Sequence, residues 1–62
     1  MNIDVKEIEH GLLYHIKLNG KKIINVRREN GLWTAYDIKK NRVVDKDQYR
    51  YDLFERLDLK YT

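Results

Sequence analysis

Three glycines set the frame of this chain. Gly11, Gly20 and Gly31 are its only ones, and each follows a polar residue suited to a turn: His10, Asn19 and Asn30. Gly takes positive φ without steric cost, and Asn-Gly is among the strongest short hairpin signals. The segments between these pairs are of strand length and carry apolar residues at alternating positions. Strands so closely spaced must join as antiparallel hairpins, because a parallel crossover needs a dozen or more connecting residues.

The first two strands are read at residues 3 to 9 and 12 to 18. Ile3-Asp4-Val5 alternates, and Ile8 then breaks the parity, which marks an irregularity. Leu12, Tyr14, Ile16 and Leu18 fall at period two, as in a half-buried strand. A two-residue His10-Gly11 loop would set Val5 opposite Ile16 and Ile3 opposite Leu18. At Asn19-Gly20 two registers compete. A two-residue loop pairs Ile16 with Ile23 and sends Ile24 and Val26 to the opposite face. A three-residue loop, Leu18-Asn19-Gly20, pairs Tyr14 with Ile24 and Leu12 with Val26. The second, with a bulge and Gly20 in the left-handed region, keeps one apolar face and is preferred, since a one-residue slip flips every side chain.

The third strand is read at 21 to 28 and the fourth at 32 to 38, joined at Asn30-Gly31. A three-residue loop here puts Leu32, Thr34, Tyr36 and Ile38 on the core face and turns Trp33 outward. A two-residue loop turns Trp33 and Ala35 inward. The first is expected, because Leu, Tyr and Ile make the larger apolar set. Lys39 to Arg42 reads as a polar turn, with a short edge strand returning at 42 to 44. Asp45 and Gln48 then have capping-box spacing, with Val44 and Tyr49 at the hydrophobic-staple positions. Tyr49, Leu53, Phe54 and Leu57 follow as an apolar stripe, and Asp52 and Arg56 form an i, i+4 pair. The helix is placed at 46 to 57, with Leu59 and Tyr61 in a frayed turn or short edge strand. The expected fold class is α+β: a small antiparallel β-meander of three to four strands with one C-terminal α-helix packed on one face. Residues 1 to 62 form a single domain in this reading.

Composition excludes most chemistry. The chain has no Cys and no Ser, and its two Thr are Thr34 and Thr62. No thiolate metal site or disulfide is available, and no nucleophile stands beside a base. His10 and His15 straddle a Gly and do not cluster with other ligands. No Gly-rich phosphate loop occurs, no cofactor is implied, and no enzyme is expected. No apolar run reaches the roughly 18 residues of a membrane span. The absence of Cys favours a reducing, cytoplasmic setting.

What remains is binding. The net charge of +3 is uneven: residues 21 to 46 hold eight Lys or Arg against Glu29, Asp37 and Asp45. In the preferred register the solvent face of the sheet shows His15, Lys17, Lys21, Asn25, Arg27 and Trp33, a mixture suited to phosphates and bases. The rival feature is aromatic. Five Tyr and one Trp exceed what one thin core can hide, and Arg50, Tyr51 and Tyr61 form a candidate protein-interaction patch. A small non-catalytic binding module acting through a protein partner or homodimer is the first expectation. Nucleic acid is the second.

Overall fold

The computed structural model describes residues 2–62 as five strands followed by one helix. The strands are β1 (Asp4–Glu9), β2 (Leu13–Leu18), β3 (Lys21–Glu29), β4 (Leu32–Asp37) and β5 (Arg42–Asp47); the helix is α1 (Arg50–Tyr61). Each strand pairs with the next in antiparallel fashion, giving the sheet order β1-β2-β3-β4-β5. The α+β meander with a covering C-terminal helix is as expected, but the sheet has five strands rather than three to four. The residues read as a short return at 42 to 44 extend to Asp47 as a full edge strand.

Both Asn-Gly pairs close two-residue loops, which corrects the preferred register at each. Asn19 and Gly20 have φ of 53° and 79°, and Asn30 and Gly31 have φ of 52° and 76°. Two successive residues at positive φ make a type I′ turn, whose twist matches that of the flanking strands. That local match outweighs the larger apolar set that favoured three-residue loops. At the second hairpin Glu29 pairs with Leu32, so Arg28 faces Trp33 and Val26 faces Ala35. Trp33 and Ala35 therefore point inward, at 4% and 0% exposure.

The first Asn-Gly hairpin keeps its apolar face by another device. Leu18 pairs with Lys21 and Lys17 with Lys22, but Ile16 pairs with Ile24. Ile23 is the extra residue of a bulge, which restores Ile24 and Val26 to the side of Tyr14 and Ile16. A similar shift between Glu7 and Glu9 places a bulge at Ile8, where the strand was expected to be irregular, while Val5 pairs with Ile16 as anticipated. Between β4 and β5 the extra residue is Val44, since Tyr36 pairs with Val43 and Ala35 with Asp45.

The core lies between this face and α1. It holds Ile3, Tyr14, Ile16, Ile24, Val26, Trp33 and Ala35 from the sheet side, and Leu53, Phe54 and Leu57 from the helix. The helix begins later than expected. Asp45 stays in β5 and does not cap it; instead Asp47 accepts a hydrogen bond from the Tyr49 amide at 2.8 Å. Arg56 reaches back to Asp45 and Asp47, at 3.0 and 2.6 Å, rather than to Asp52 on its own helix. The helix continues through Leu59 to Tyr61, whose hydroxyl donates to buried Asp37 at 2.5 Å. Asp58 accepts from the amides of Asn2 and Ile3, at 2.8 and 3.1 Å, tying the start of β1 to the helix.

Two outcomes follow for stability. Leu57→Ala empties a fully buried site and should cost about 2–5 kcal/mol, against a total of roughly 3–9 kcal/mol for a chain of this size; urea melts of both proteins check this. The Arg56 guanidinium lowers the pKa of Asp45, and the Tyr49 amide followed by Arg56 lowers that of Asp47. Carboxylates depressed in the folded state contribute stability above their unfolded pKa, about 3.9, and lose it as pH falls through the folded value. Stability should therefore drop below about pH 4, and Arg56→Gln should flatten that acid limb in urea melts run from neutral to acid pH.

Candidate nucleic-acid interface

Antiparallel partners point to the same side of a sheet. The pairing therefore assigns each strand residue to the helix side or to the bare side, which no element covers. Two cross-strand rows make the centre of the bare side. One runs Lys6, His15, Asn25, Tyr36, Val43; the other runs Leu13, Arg27, Thr34, Lys46. Lys17 and Lys22 face each other at one end, opposite Asp4. Glu9 and Glu29 complete the set through their pairing with Leu13 and Leu32.

His15, Lys17, Asn25 and Arg27 thus lie together on this face as expected. Two of the other predicted residues do not. Trp33 belongs to the core, for the reason of turn geometry given above. Lys21 pairs with Leu18, which packs against the core, so it sits on the helix side and Lys22 takes its place. The Ile23 bulge makes that exchange, and no pattern in the sequence announced it. Sequence reasoning missed Lys6, Lys46, Thr34 and Tyr36. Tyr36 was set inside by the wrong register; its hydroxyl hydrogen-bonds Asn41 Oδ1.

The bare face carries five cations, Lys6, Lys17, Lys22, Arg27 and Lys46, against the three carboxylates Asp4, Glu9 and Glu29. Among the described residues none of these five cations is in an ion pair. On the helix side three arginines are engaged, while Lys21, Arg42 and Lys60 are in no ion pair among the described residues. Arg56 holds two aspartates, Arg28 stacks over Trp33 at 5.9 Å, and Arg50 lies over Tyr14, Trp33 and Tyr51 at 5.8, 5.9 and 4.7 Å.

The centre of the bare face is polar and shallow. A depression of about 240 Å³ is lined by Asn25, Arg27, Glu29, Thr34, Tyr36 and Val43. Asn25 Oδ1 is buried beneath this surface and has no hydrogen-bond partner. His15 has its pKa lowered, first by partial burial and then by Lys22, Lys17 and Lys6. The groups whose pKa burial raises lie elsewhere. Tyr61 is pushed up to about 12 by burial and by Asp37, and Tyr14 is raised by burial and its hydrogen bond to Glu7.

The residues of the candidate protein patch separate. Arg50 and Tyr51 adjoin at the start of α1, with Tyr51 71% exposed. Tyr61 lies ten residues on, about 15 Å along the axis at 1.5 Å per residue, with its hydroxyl committed to Asp37. Among the described residues no group of three or more His, Cys, Asp or Glu is placed to hold a metal ion. None of the described helix is long and apolar enough to cross a membrane. No protein-family model, curated protein or solved structure matches the chain.

The inward Trp33 gives a direct check. Its fluorescence emission should be blue-shifted in the native protein and move to the red in denaturant, and an iodide quencher should reach it only after unfolding. A red-shifted native spectrum would restore the three-residue loop at Asn30-Gly31.

Proposed function

We propose that this protein is a non-catalytic nucleic-acid-binding module that works through the bare face of its sheet. The observation that carries the reading is the sorting of cations. Arg28, Arg50 and Arg56 on the helix side are matched to carboxylates or aromatic rings, whereas the five cations of the bare face share one uncovered surface and are free of ion pairs among the described residues. Phosphate backbones bind such cations by displacing condensed counterions, which needs no deep cleft. The amide of Asn25 and the phenol of Tyr36 lie between the cations and supply hydrogen-bonding and stacking groups, with Thr34 buried between Arg27 and Lys46. The order of preference set by the sequence is reversed here, because the three residues of the protein patch do not form one surface. A protein partner keeps one supporting feature, the exposed Tyr51 beside Arg50 at the start of α1.

Fluorescence anisotropy with labelled single-stranded and duplex oligonucleotides, at 50 and 200 mM salt, tests this reading. Affinity should fall steeply with salt. Arg27→Ala should weaken binding and reduce the log–log salt slope by about 0.9 for duplex or about 0.7 for single strands. Tyr51→Ala should leave that binding intact. Binding that ignores salt, or that Tyr51→Ala abolishes while Arg27→Ala does not, would move the function to the helix and a protein partner.

A further inference from the structure

The cations of the bare face are not evenly spread. Lys17 and Lys22 are direct cross-strand partners, Lys6 stands opposite His15, and His15 lies two residues from Lys17 on the same strand and face. Like charges directly opposite each other destabilise a sheet. The bulge at Ile23 creates this opposition, by setting Lys22 rather than Lys21 across from Lys17. The carboxylate in this block is Asp4, opposite Lys17 on the β1 edge, and it is not within ion-pair distance. From β3 the other group facing His15 is Asn25, with its partnerless Oδ1.

We propose that Lys6, His15, Lys17 and Lys22 form one anion site, which takes a phosphodiester of the nucleic acid bound across the bare face. This rests on the reading given above and names where on that face the backbone is gripped. An anion here relieves the repulsion among the three lysines and supplies the close negative partner that Asp4 does not. It also changes the state of His15. In the free protein, partial burial and the three lysines lower the imidazole's pKa and so favour the neutral ring. A bound phosphate reverses the sign of the local field and favours the imidazolium. The imidazolium carries two N–H donors: one meets the phosphate, and the other meets Asn25 Oδ1, the buried acceptor that lacks a donor. The neutral ring has one N–H and serves only one of them. Binding therefore takes up a proton. Between the free and bound pKa values of His15, affinity rises as pH falls, and it levels off below the free value.

The test has two arms. In the first, the His15 and His10 imidazoles are titrated by NMR with and without sodium tripolyphosphate. The His15 pKa should rise with the anion, and the His10 signal serves as the internal reference. In the second, binding of a labelled oligothymidylate and of a duplex is followed by anisotropy from pH 8 to pH 5.5. Affinity should increase about tenfold for each unit by which binding raises the His15 pKa. His15→Gln should flatten that pH profile and His10→Gln should not. Lys22→Gln, with Lys21→Gln as its control, should lower both the tripolyphosphate response and the salt slope. A His15 response to tripolyphosphate with no oligonucleotide bound would keep the anion site and overturn the nucleic-acid reading. Salt-dependent oligonucleotide binding with a pH profile unchanged by His15→Gln would keep that reading and overturn this site. No response in either arm overturns both.

Discussion

A sheet residue faces one side or the other by parity, and in this protein parity is reset three times. The bulges at Ile8, Ile23 and Val44 each add one residue to one strand of a pair. Without the one at Ile23, a two-residue Asn19-Gly20 loop would split the apolar residues of β3 between the two faces. With it, Ile24 and Val26 meet Leu53 and Leu57 in one core. Both the core and the composition of the bare face depend on that phase. The turns demand one register, the burial of Ile and Val demands another, and the bulge reconciles them.

The same view explains what the sequence could and could not disclose. Turn positions were legible, because Asn-Gly reports a local backbone preference. The meander, the covering helix and the apolar stripe Leu53-Phe54-Leu57 were legible for the same local reason. Register was not. At Asn30-Gly31 the apolar count of Leu32, Tyr36 and Ile38 argued against the geometry that type I′ dihedrals impose, and local geometry prevailed. The helix start was misplaced because Asp45 and Gln48 have capping-box spacing. Asp45 is instead held in β5 by its pairing with Ala35 and by Arg56, two contacts formed in space and not along the chain. The candidate face was half legible. His15, Lys17, Asn25 and Arg27 follow from alternation within regular stretches of strand, whereas the exchange of Lys21 for Lys22 depends on the bulge.

The two sides of the sheet treat charge differently. On the helix side, Asp37 is buried, and burial alone would raise its pKa; the Tyr61 hydroxyl and the Lys40 amide outweigh that and keep it low. Asp45 and Asp47 share one guanidinium. These carboxylates fasten the helix to the C-terminal half of β5 and to the end of β4, so their partners are internal. On the bare side the lysines and Arg27 are in no ion pair among the described residues. A buried charge needs a fixed partner, and an uncovered sheet face imposes no such need.

The contacts of Asp58 bear on the order in which the molecule assembles. Every strand pairing is between neighbours in sequence, and hairpins of this kind close within about 1–10 μs. The hydrogen bonds from Asn2 and Ile3 to Asp58 instead span 56 and 55 residues. Closing so long a segment costs more chain entropy than closing any hairpin. The meander is thus kinetically local and its final fastening is not. Until α1 docks, the apolar face that will become the core lies as open as the basic one, and the nascent sheet has two bare sides instead of one.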